Sequence, residues 1–228
     1  GNLIQLVKEN KLLPYQYPEA KAYETLSFFE GVLDYATYVD DVNLYIACIK
    51  FFEDVYNSEI SIIGNAGANE EQFNNAKIKQ TIKPERVCQE TCVSVTWMRV
   101  LTKLHLLTGD PKYYDRFEIT ARNAFYGSIN FERQNARDNN TKKAISYLPF
   151  DSYSPLRNDQ RGKLTGGLLY LADGSHYGCC ACIGSAGIGL TAINTVLRKG
   201  KAIVINDFYN GKVKTDELEA SIEETLLE

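Results

Sequence analysis

The sequence predicts a mainly α-helical fold built from paired helices, with short β segments between them. Two observations support this prediction. In the first half of the chain, long stretches carry apolar residues at helical spacing, and capping or turn residues separate them. The other stretches are richer in glycine, asparagine and short apolar runs, which favour loops and brief strands. A length of 228 residues allows one large domain or two small ones.

The first predicted helical pair lies near the beginning of the chain. Residues 22–38, AYETLSFFEGVLDYATY, have the spacing of an amphipathic helix. After a break at Val39 and Asp40, Asp41 is a predicted N-cap, and a second helix runs to about Tyr56.

The second pair repeats this organisation. The stretch CVSVTWMRVLTKLHLL places its apolar residues on one helical face and is followed by Gly109, a helix stop. Asp110 is then a predicted N-cap, and Pro111 takes the first helical position, where no amide donor is needed. The two pairs together indicate a repeated αα unit, as in solenoids or closed toroids. A chance match between amphipathic helices gives the same pattern.

The remaining stretches are less regular. Ile60 and Ile62 predict a brief strand followed by a long loop, and residues 127–178 predict irregular structure with short strand-like pieces. A helix is predicted from about Ser185 to Arg198, and KAIVINDFY after it reads as a strand. The final TDELEASIEETLLE predicts an acidic helical tail.

Charge and composition restrict the class of partner. A net charge of -4 provides no basic field for nucleic acid. No window approaches the roughly 18 apolar residues of a membrane span. The 15 tyrosines and 10 phenylalanines mildly favour a saccharide partner, because sugar sites use exposed rings as platforms. The cellular compartment stays open.

The cysteines are too few and too clustered for a disulfide scaffold. Cys48 lies in a helical pattern and is expected in the core. Cys179 and Cys182 form a C-x-x-C pair, which allows a thiol redox function, although no alternating α/β pattern surrounds it. A vicinal disulfide between Cys179 and Cys180 is a further alternative.

A metal site explains the same cysteines better. Zinc binds thiolates and carboxylates, usually four of them in a tetrahedron. Glu90 and Cys92 stand just before one predicted helix, and Cys179 and Cys180 stand just before another. The positive end of a helix favours thiolate. From spacing alone, Cys88 and Cys182 would serve equally well as ligands.

A family resemblance follows from several motifs in order. These are IIGNAGANEEQF, QETCVSVTWMRVLTKLHLLTGDPKYYDRFEITARNAFYGSI, YGCCACIGSAGIG and IVINDFY. They resemble the DUF1680 group, glycoside hydrolase family 127 and its relatives, which includes β-L-arabinofuranosidases. The resemblance runs from about Tyr23 to Tyr209 and implies part of an (α/α)6 barrel, the toroid of αα-hairpins.

The resemblance also implies a retaining glycosidase in which a zinc-bound cysteine is the nucleophile. Glu90, Cys92 and Cys180 match the family's zinc ligands, and Cys179 matches the nucleophile, which also touches the metal. Glu71, in the E-x-F element after the glycine-rich loop, matches the acid/base.

Other positions are less sharply defined. Glu70 is a rival to Glu71 as the acid/base. His176 and Tyr177, just before the cysteine pair, are expected to contact the sugar. Tyr23 and Glu24 occupy a stretch where the family places groups that face the substrate. The implied substrate is a furanoside such as a β-L-arabinofuranoside.

The resemblance covers only about the second half of such a barrel. We therefore expect a partial catalytic domain over residues 1–205, followed by the strand end and acidic helical tail over 206–228. Its broken edges should expose apolar helix faces and drive self-association. The alternative is a non-catalytic helical module that keeps zinc for structure and binds a glycan or a partner protein.

Overall fold

The computed structural model describes most of the helical part of the chain and shorter pieces elsewhere. The described residues are 3–9, 12–18, 21–66, 68–69, 72–84, 87–129, 136–137, 144–145, 150, 153–155, 168–170, 176–200, 202–207, 210–214 and 219–223. Within them the fold is mainly helical with short strands, as the sequence predicts. None of the helices in this described part combines the length and apolar character that a membrane span needs.

Within the described residues, seven α-helices form most of the structure. They are α1 Leu3–Glu9, α2 Ala22–Tyr38, α3 Val42–Ser58, α4 Ala76–Ile82, α5 Thr91–Thr108, α6 Pro111–Ile119 and α7 Cys179–Asn194. A 3-10 turn, Pro14–Gln16, follows α1, and a π-helical segment, Thr120–Phe125, continues α6.

Both predicted helical pairs are present, with the predicted caps. The Asp41 carboxylate accepts a hydrogen bond from the amide of Leu44 at the start of α3. The Asp110 carboxylate accepts one from Lys112 at the start of α6. Gly109 ends α5 at a positive φ of 69°, a conformation that a residue with a side chain adopts only with strain.

Helix α5 is the centre of the core. It packs against α2, α6 and α7, and 13 of its 18 residues are buried, Trp97 among them. Next to it, α2 packs on α3, where the rings of Phe29 and Phe51 stack with centroids 3.8 Å apart. A partly buried ion-pair group joins α2 to α5, because the buried Glu30 accepts hydrogen bonds from Arg99 at 2.6 Å and Lys103 at 2.9 Å. Residues on both sides of α5 therefore fix its position.

Short strands lie between and after the helices. They are β1 Ala68–Asn69, β2 Gln72–Phe73, β3 Cys88–Glu90, β4 Ala136–Arg137, β5 Ala144–Ile145, β6 Tyr153–Pro155, β7 Leu168–Tyr170, β8 His176–Gly178, β9 Val196–Lys199, β10 Ala202–Ile205, β11 Gly211–Lys214 and β12 Glu219–Ile222. Four of them form an antiparallel sheet in the order β2-β1-β3-β6. The others pair as hairpins: β4 with β5, β7 with β8, β9 with β10 and β11 with β12.

Three local predictions need correction. The stretch predicted as a long loop after Ile62 contains a helix, α4, as well as β1 and β2. Helix α7 begins at Cys179 rather than Ser185 and ends before β9. The strand β12 occupies part of the tail that was predicted to be helical, where its register with β11 supplies backbone hydrogen bonds between strands. The domain division at residue 205 stays a prediction.

Two glycines set how closely α7 approaches its neighbours. A Cβ atom added at Gly187 would lie 2.5 Å from the ring of Phe125 and 2.9 Å from Val95 of α5. One added at Gly184 would lie 2.6 Å from the ring of Phe150. Any larger side chain at these positions would therefore push α7 away from α5 or displace an aromatic ring.

Candidate active site

Three cysteine thiols meet at the start of two helices. The Sγ atoms of Cys92, Cys179 and Cys180 all lie within 4.8 Å of one another. The Cys92 and Cys180 sulfurs are 3.1 Å apart, although these residues are 88 positions apart in sequence. Cys92 and Cys180 are buried, Cys179 is partly exposed, and all three are free thiols. The fold thus brings together three of the four predicted ligands.

The first turns of α5 and α7 position this thiol cluster. Cys92 is the second residue of α5, and Cys179 and Cys180 are the first two residues of α7. Packing between α5 and α7 holds these two turns side by side. Gly187 allows the close approach of the helices, because it has no side chain to meet Val95 of α5. Both helix N-termini present backbone amides and the positive end of a helix dipole, which stabilise a thiolate.

Glu90 lies on the wall of a pocket that Cys92 and Cys179 also line. It is the last residue of β3, 5% exposed, and it leads directly into α5. The pocket has a volume of about 330 Å³ and is lined by Tyr23, Glu24, Glu90, Cys92, Cys179, Cys182 and Ile183. Cys179, the partly exposed member of the thiol cluster, is therefore accessible from a space that also holds carboxylates.

The surroundings of the thiol cluster favour a negative charge on Cys179. Hydrogen bonds from the thiols of Cys180 and Cys92, helped by backbone amides of the helix start, lower the pKa of Cys179 to about 3. Hydrogen bonding to Cys179 in turn raises the pKa of Cys92 and of Cys180. The cluster without a metal therefore favours one thiolate, at the position that faces the pocket.

The donor set suits zinc. Zinc in a tetrahedral site binds thiolate sulfur at about 2.3 Å, which separates two bound sulfurs by about 3.8 Å. The three sulfurs lie within 4.8 Å of one another, and the 3.1 Å between the Cys92 and Cys180 sulfurs would lengthen when zinc binds. Among the described residues, the cluster within 4.8 Å consists of the thiols alone, and Glu90 is a buried carboxylate on the pocket wall. Three thiolates and one carboxylate would complete a tetrahedral set.

Several predicted site residues have no described side chain. Glu70 and Glu71 lie outside the described residues. Their described neighbours, Asn69 and Gln72, pair with each other in the sheet whose strand β3 ends at Glu90. The acid/base assignment therefore stays a prediction.

The residues before the cysteine pair are described as backbone only. His176 and Tyr177 form β8 with Gly178, and their register partners in β7 are Tyr170 and Leu169. This strand leads directly into Cys179. Their predicted contact with sugar stays a prediction.

The other described positions that the sequence singles out lie either on the pocket wall or in the core. Cys182 is exposed and lines the pocket but lies outside the thiol cluster. Cys48 is buried in α3, as expected of a core residue, and burial raises its pKa to about 12. Tyr23 and Glu24, at the start of α2, lie on the pocket wall, where a substrate could reach them.

One supporting residue has no signal in the sequence. Glu59, fully buried after α3, accepts hydrogen bonds from the amides of Asn74 at 2.9 Å and Ala76 at 3.4 Å. It thereby anchors the chain just after β2, the strand that follows Glu70 and Glu71 in sequence. Burial raises the pKa of Glu59. In the sequence it resembles an ordinary surface carboxylate at a helix end.

Comparisons with known proteins show the family and the fold of this chain. The family profile described as β-L-arabinofuranosidase, GH127 catalytic domain, matches residues 16–161. Among solved structures, Ara127N-Se, a GH127 β-L-arabinofuranosidase from Geobacillus stearothermophilus T6, aligns over 93% of this chain and 31% of its own, with a TM-score of 0.57 and 18% identity. The GH127 β-arabinofuranosidase BT3674 aligns over 87% of this chain and 28% of its own, with a TM-score of 0.55 and 19% identity. No curated protein matches the chain significantly.

These matches confirm two predictions made from the sequence. The family resemblance is correct, and the mainly helical fold is part of an (α/α)6 barrel. The chain spans less than a third of the length of either solved relative.

Proposed function

This chain belongs to the GH127 family of β-L-arabinofuranosidase catalytic domains, and we propose that it carries the thiol centre of a retaining glycoside hydrolase. The proposed substrate is a furanoside such as a β-L-arabinofuranoside. One observation supports the proposal most strongly: Cys92, Cys179 and Cys180 converge within 4.8 Å, and Cys179 lies on the wall of the pocket.

Glu90, Cys92, Cys179 and Cys180 would hold zinc in this proposal. Glu90, Cys92 and Cys179 line the pocket, and the Cys180 sulfur lies within 4.8 Å of the other two sulfurs, so the set provides three sulfurs and a carboxylate. When bound, zinc would supply a positive charge that keeps the thiols ionised and fixed in place.

Cys179 is the proposed nucleophile because it is the least buried member of the thiol cluster and borders the pocket. Its Sγ thiolate attacks the anomeric carbon of the sugar, and a C–S bond forms as the bond to the leaving oxygen breaks. The carboxylic acid of Glu71, or of its rival Glu70, gives its proton to that oxygen. The leaving group departs as an alcohol, and the sugar remains attached to sulfur.

The second step reverses these roles. The carboxylate that gave up its proton takes one from water, and the water oxygen attacks the anomeric carbon. The C–S bond breaks and the thiolate of Cys179 returns to its starting state. Because each step inverts the anomeric carbon, the product keeps the configuration of the substrate.

Residues on two sides of the pocket would bind the sugar. Tyr23 and Glu24 line the pocket at the start of α2, and an aromatic ring with a nearby carboxylate suits a sugar face and its hydroxyls. His176 and Tyr177 precede the nucleophile directly and are proposed as further sugar contacts.

A labelling experiment tests the nucleophile. The chain is loaded with zinc, treated with N-bromoacetyl-β-L-arabinofuranosylamine and mapped by peptide mass spectrometry. The proposal expects one sugar label on Cys179, slowed by excess L-arabinose. The Cys182→Ser variant is the matched control, because it removes an exposed thiol on the same pocket and should leave labelling of Cys179 unchanged.

Two outcomes would contradict the catalytic proposal. Labelling of Cys182 alone, or labelling that L-arabinose does not slow, removes Cys179 from the role of nucleophile. Zinc binding without any labelling of Cys179 favours the non-catalytic zinc module instead. A reversible Cys179–Cys182 disulfide without bound metal favours the redox alternative.

The acid/base is tested by chemical rescue. Glu71→Gln should slow hydrolysis of an aryl β-L-arabinofuranoside, and azide should restore turnover by giving the β-configured glycosyl azide. Glu70→Gln is the matched control on the neighbouring residue. Rescue of the Glu70→Gln variant alone would transfer the role to Glu70.

Self-association is proposed for this chain because α7 exposes apolar side chains. Ile193 of this helix is 61% exposed and Ile188 is 45% exposed. Sedimentation velocity should show a dimer or larger species that the double variant Ile188→Ser/Ile193→Ser dissociates. A monomer at all concentrations would remove this proposal and leave the enzymatic one unaffected.

A further inference from the structure

A second cavity lies away from the thiol cluster, between α3, α4, α5 and α6. Its volume is about 450 Å³, within the range of small-molecule sites. It is lined by Tyr56, Ile60, Ser61, Ile62, Gly64, Lys77, Gln80, Thr81, Trp97, Arg116 and Ile119. None of these residues lines the pocket beside Cys179.

Hydrogen bonds from two sides hold one wall of this cavity in place. The amide of Ile62 donates to Gln80 Oε1 of α4 at 2.7 Å. The π-helical segment frees the amide of Ala124 to donate to the carbonyl of Ile63 at 3.2 Å. Thr120 Oγ1 donates to the carbonyl of Gly64 at 2.7 Å. The cavity is therefore formed in advance of any ligand.

Gly64 is required for this wall. Its φ is +89°, and an added Cβ atom would lie 2.7 Å from the backbone of Thr120. No other residue type fits this turn without displacing the π-helical segment. The close contact therefore brings the 60–64 turn against α6.

The interior of the cavity is apolar with one buried donor. Ile60, Ile62 and Ile119 supply aliphatic surface, and Ile62 is 80% exposed at the rim. Trp97 is fully buried, and its indole N–H has no acceptor among the described residues. This N–H is closed to solvent, so a ligand in the cavity would meet the aliphatic surface rather than this donor.

The rim of the cavity carries a positive charge. The Arg116 guanidinium lies 3.5 Å from the ring centroid of Tyr56, and the Lys77 ammonium lies 4.8 Å from it. Arg116 makes two hydrogen bonds to the carboxylate of Glu53, both at 2.9 Å, which balance its charge. Lys77 has no carboxylate partner within the described part of the chain, so its charge is available to an anion.

We infer that this cavity binds a small amphipathic monocarboxylate. The carboxylate would pair with Lys77 at the rim, and the aliphatic chain would lie among the isoleucines beside Trp97. Both the charge and the apolar walls are needed: a sugar would leave the isoleucines without apolar contact, and a neutral hydrocarbon would leave Lys77 unpaired.

The chain provides its own reporter for this ligand, because Trp97 is its single tryptophan. Octanoate is titrated into the 228-residue chain, with tryptophan fluorescence excited selectively. We expect a saturable change in Trp97 emission in the millimolar range. 1-Octanol, which has the same chain without the charge, should bind about fivefold more weakly.

Variants test the two parts of the site separately. Lys77→Gln should weaken octanoate about fivefold and leave 1-octanol unchanged. Lys83→Gln, at the opposite end of α4 and outside the cavity, is the matched control and should have no effect. Ile119→Ser should weaken both ligands. A Trp97 emission that does not respond, or an equal effect of Lys77→Gln and Lys83→Gln, overturns the inference.

Discussion

The two helices that supply the thiols, α5 and α7, reach the site in opposite ways. Helix α5 is buried between α2, α6 and α7, and charged residues at its edge pair with Glu30 of α2. Helix α7 has no charged residue, packs on one side through Gly184 and Gly187, and exposes Ile188 and Ile193 on the other. The position of Cys92 is thus fixed by three neighbouring helices, whereas that of Cys179 and Cys180 depends mainly on the packing of α7 against α5.

This difference predicts which changes affect the site. Damage to α5 should lower the stability of the whole fold, because its buried surface is shared by three other helices. Damage to the packed face of α7 should separate the thiols while the rest of the core persists. The following predictions test this contrast.

Removal of a thiol from the cluster should have the largest effect. Cys92→Ser should lower zinc affinity by at least about a hundredfold, because loss of one thiolate of the proposed set costs several kcal/mol of binding free energy. Competition with a chromophoric chelator measures this affinity. Cys182→Ser, which changes an exposed cysteine outside the cluster, should leave it unchanged. Equal losses for both variants would contradict the assignment.

The pH dependence of alkylation tests the electrostatics of the thiol cluster. Hydrogen bonds lower the pKa of Cys179 to about 3, so the thiolate persists at any pH well above that value. In the metal-free chain, iodoacetamide should therefore modify Cys179 at nearly the same rate between about pH 5 and pH 8, whereas an ordinary thiol with a pKa near 8.5 would react several hundred times faster at the higher pH.

A variant sharpens this measurement. Cys92→Ala removes one of the hydrogen-bond donors, so the pKa of Cys179 should rise and its rate at the lower pH should fall. A steep rise of the wild-type rate across this pH range would place the negative charge of the cluster elsewhere.

A matched pair of glycine variants compares the two faces of α7. Gly187→Ala should cost about 1–3 kcal/mol of unfolding free energy, because its Cβ would overlap Phe125 and Val95. It should also weaken zinc about tenfold by moving the first turn of α7. Gly189→Ala has no atom within 4 Å of its Cβ and should stabilise the helix by up to about 1 kcal/mol. Urea unfolding and zinc competition measure both effects, and a harmless Gly187→Ala would contradict the close-packing argument.

A substitution at the end of α7 opposite the thiols should have the smallest effect. Asn194 Nδ2 donates to Thr102 Oγ1 of α5 at 2.9 Å, far along both helices from the thiols. Asn194→Ala should cost about 1 kcal/mol of unfolding free energy and leave zinc affinity unchanged. Thr102→Val removes the acceptor and should cost a similar amount. A loss of zinc affinity in either variant would mean that the helix ends are coupled.

The contrast between the helices also explains what the sequence could predict. Helix α5 has a long apolar face, and the caps Asp41 and Asp110 mark the starts of α3 and α6. The sequence therefore predicts the positions of these helices along the chain well. Helix α7 consists mainly of small residues with almost no amphipathic pattern, and its start is predicted six residues late, at Ser185 instead of Cys179. The pairing that makes β12 a strand depends on contacts between strands, which an acidic segment does not reveal.

The features of the site likewise divide into those that the sequence predicts and those that it does not. The family motifs identify Cys92, Cys179 and Cys180, and the structure brings them together. Periodicity could not reveal that Glu59 anchors the chain after β2, because its buried hydrogen bonds join residues 15 and 17 positions apart. Nor could it reveal the cavity beside Trp97, since that space exists only once four helices have packed around it.

The most direct test is zinc X-ray absorption of the metal-loaded chain. If Cys92, Cys179, Cys180 and Glu90 hold one zinc ion, the spectrum should show three sulfur atoms at about 2.3 Å and one oxygen at about 2.0 Å. A first shell of oxygen and nitrogen without sulfur, or one unchanged by Cys92→Ser, would contradict the account.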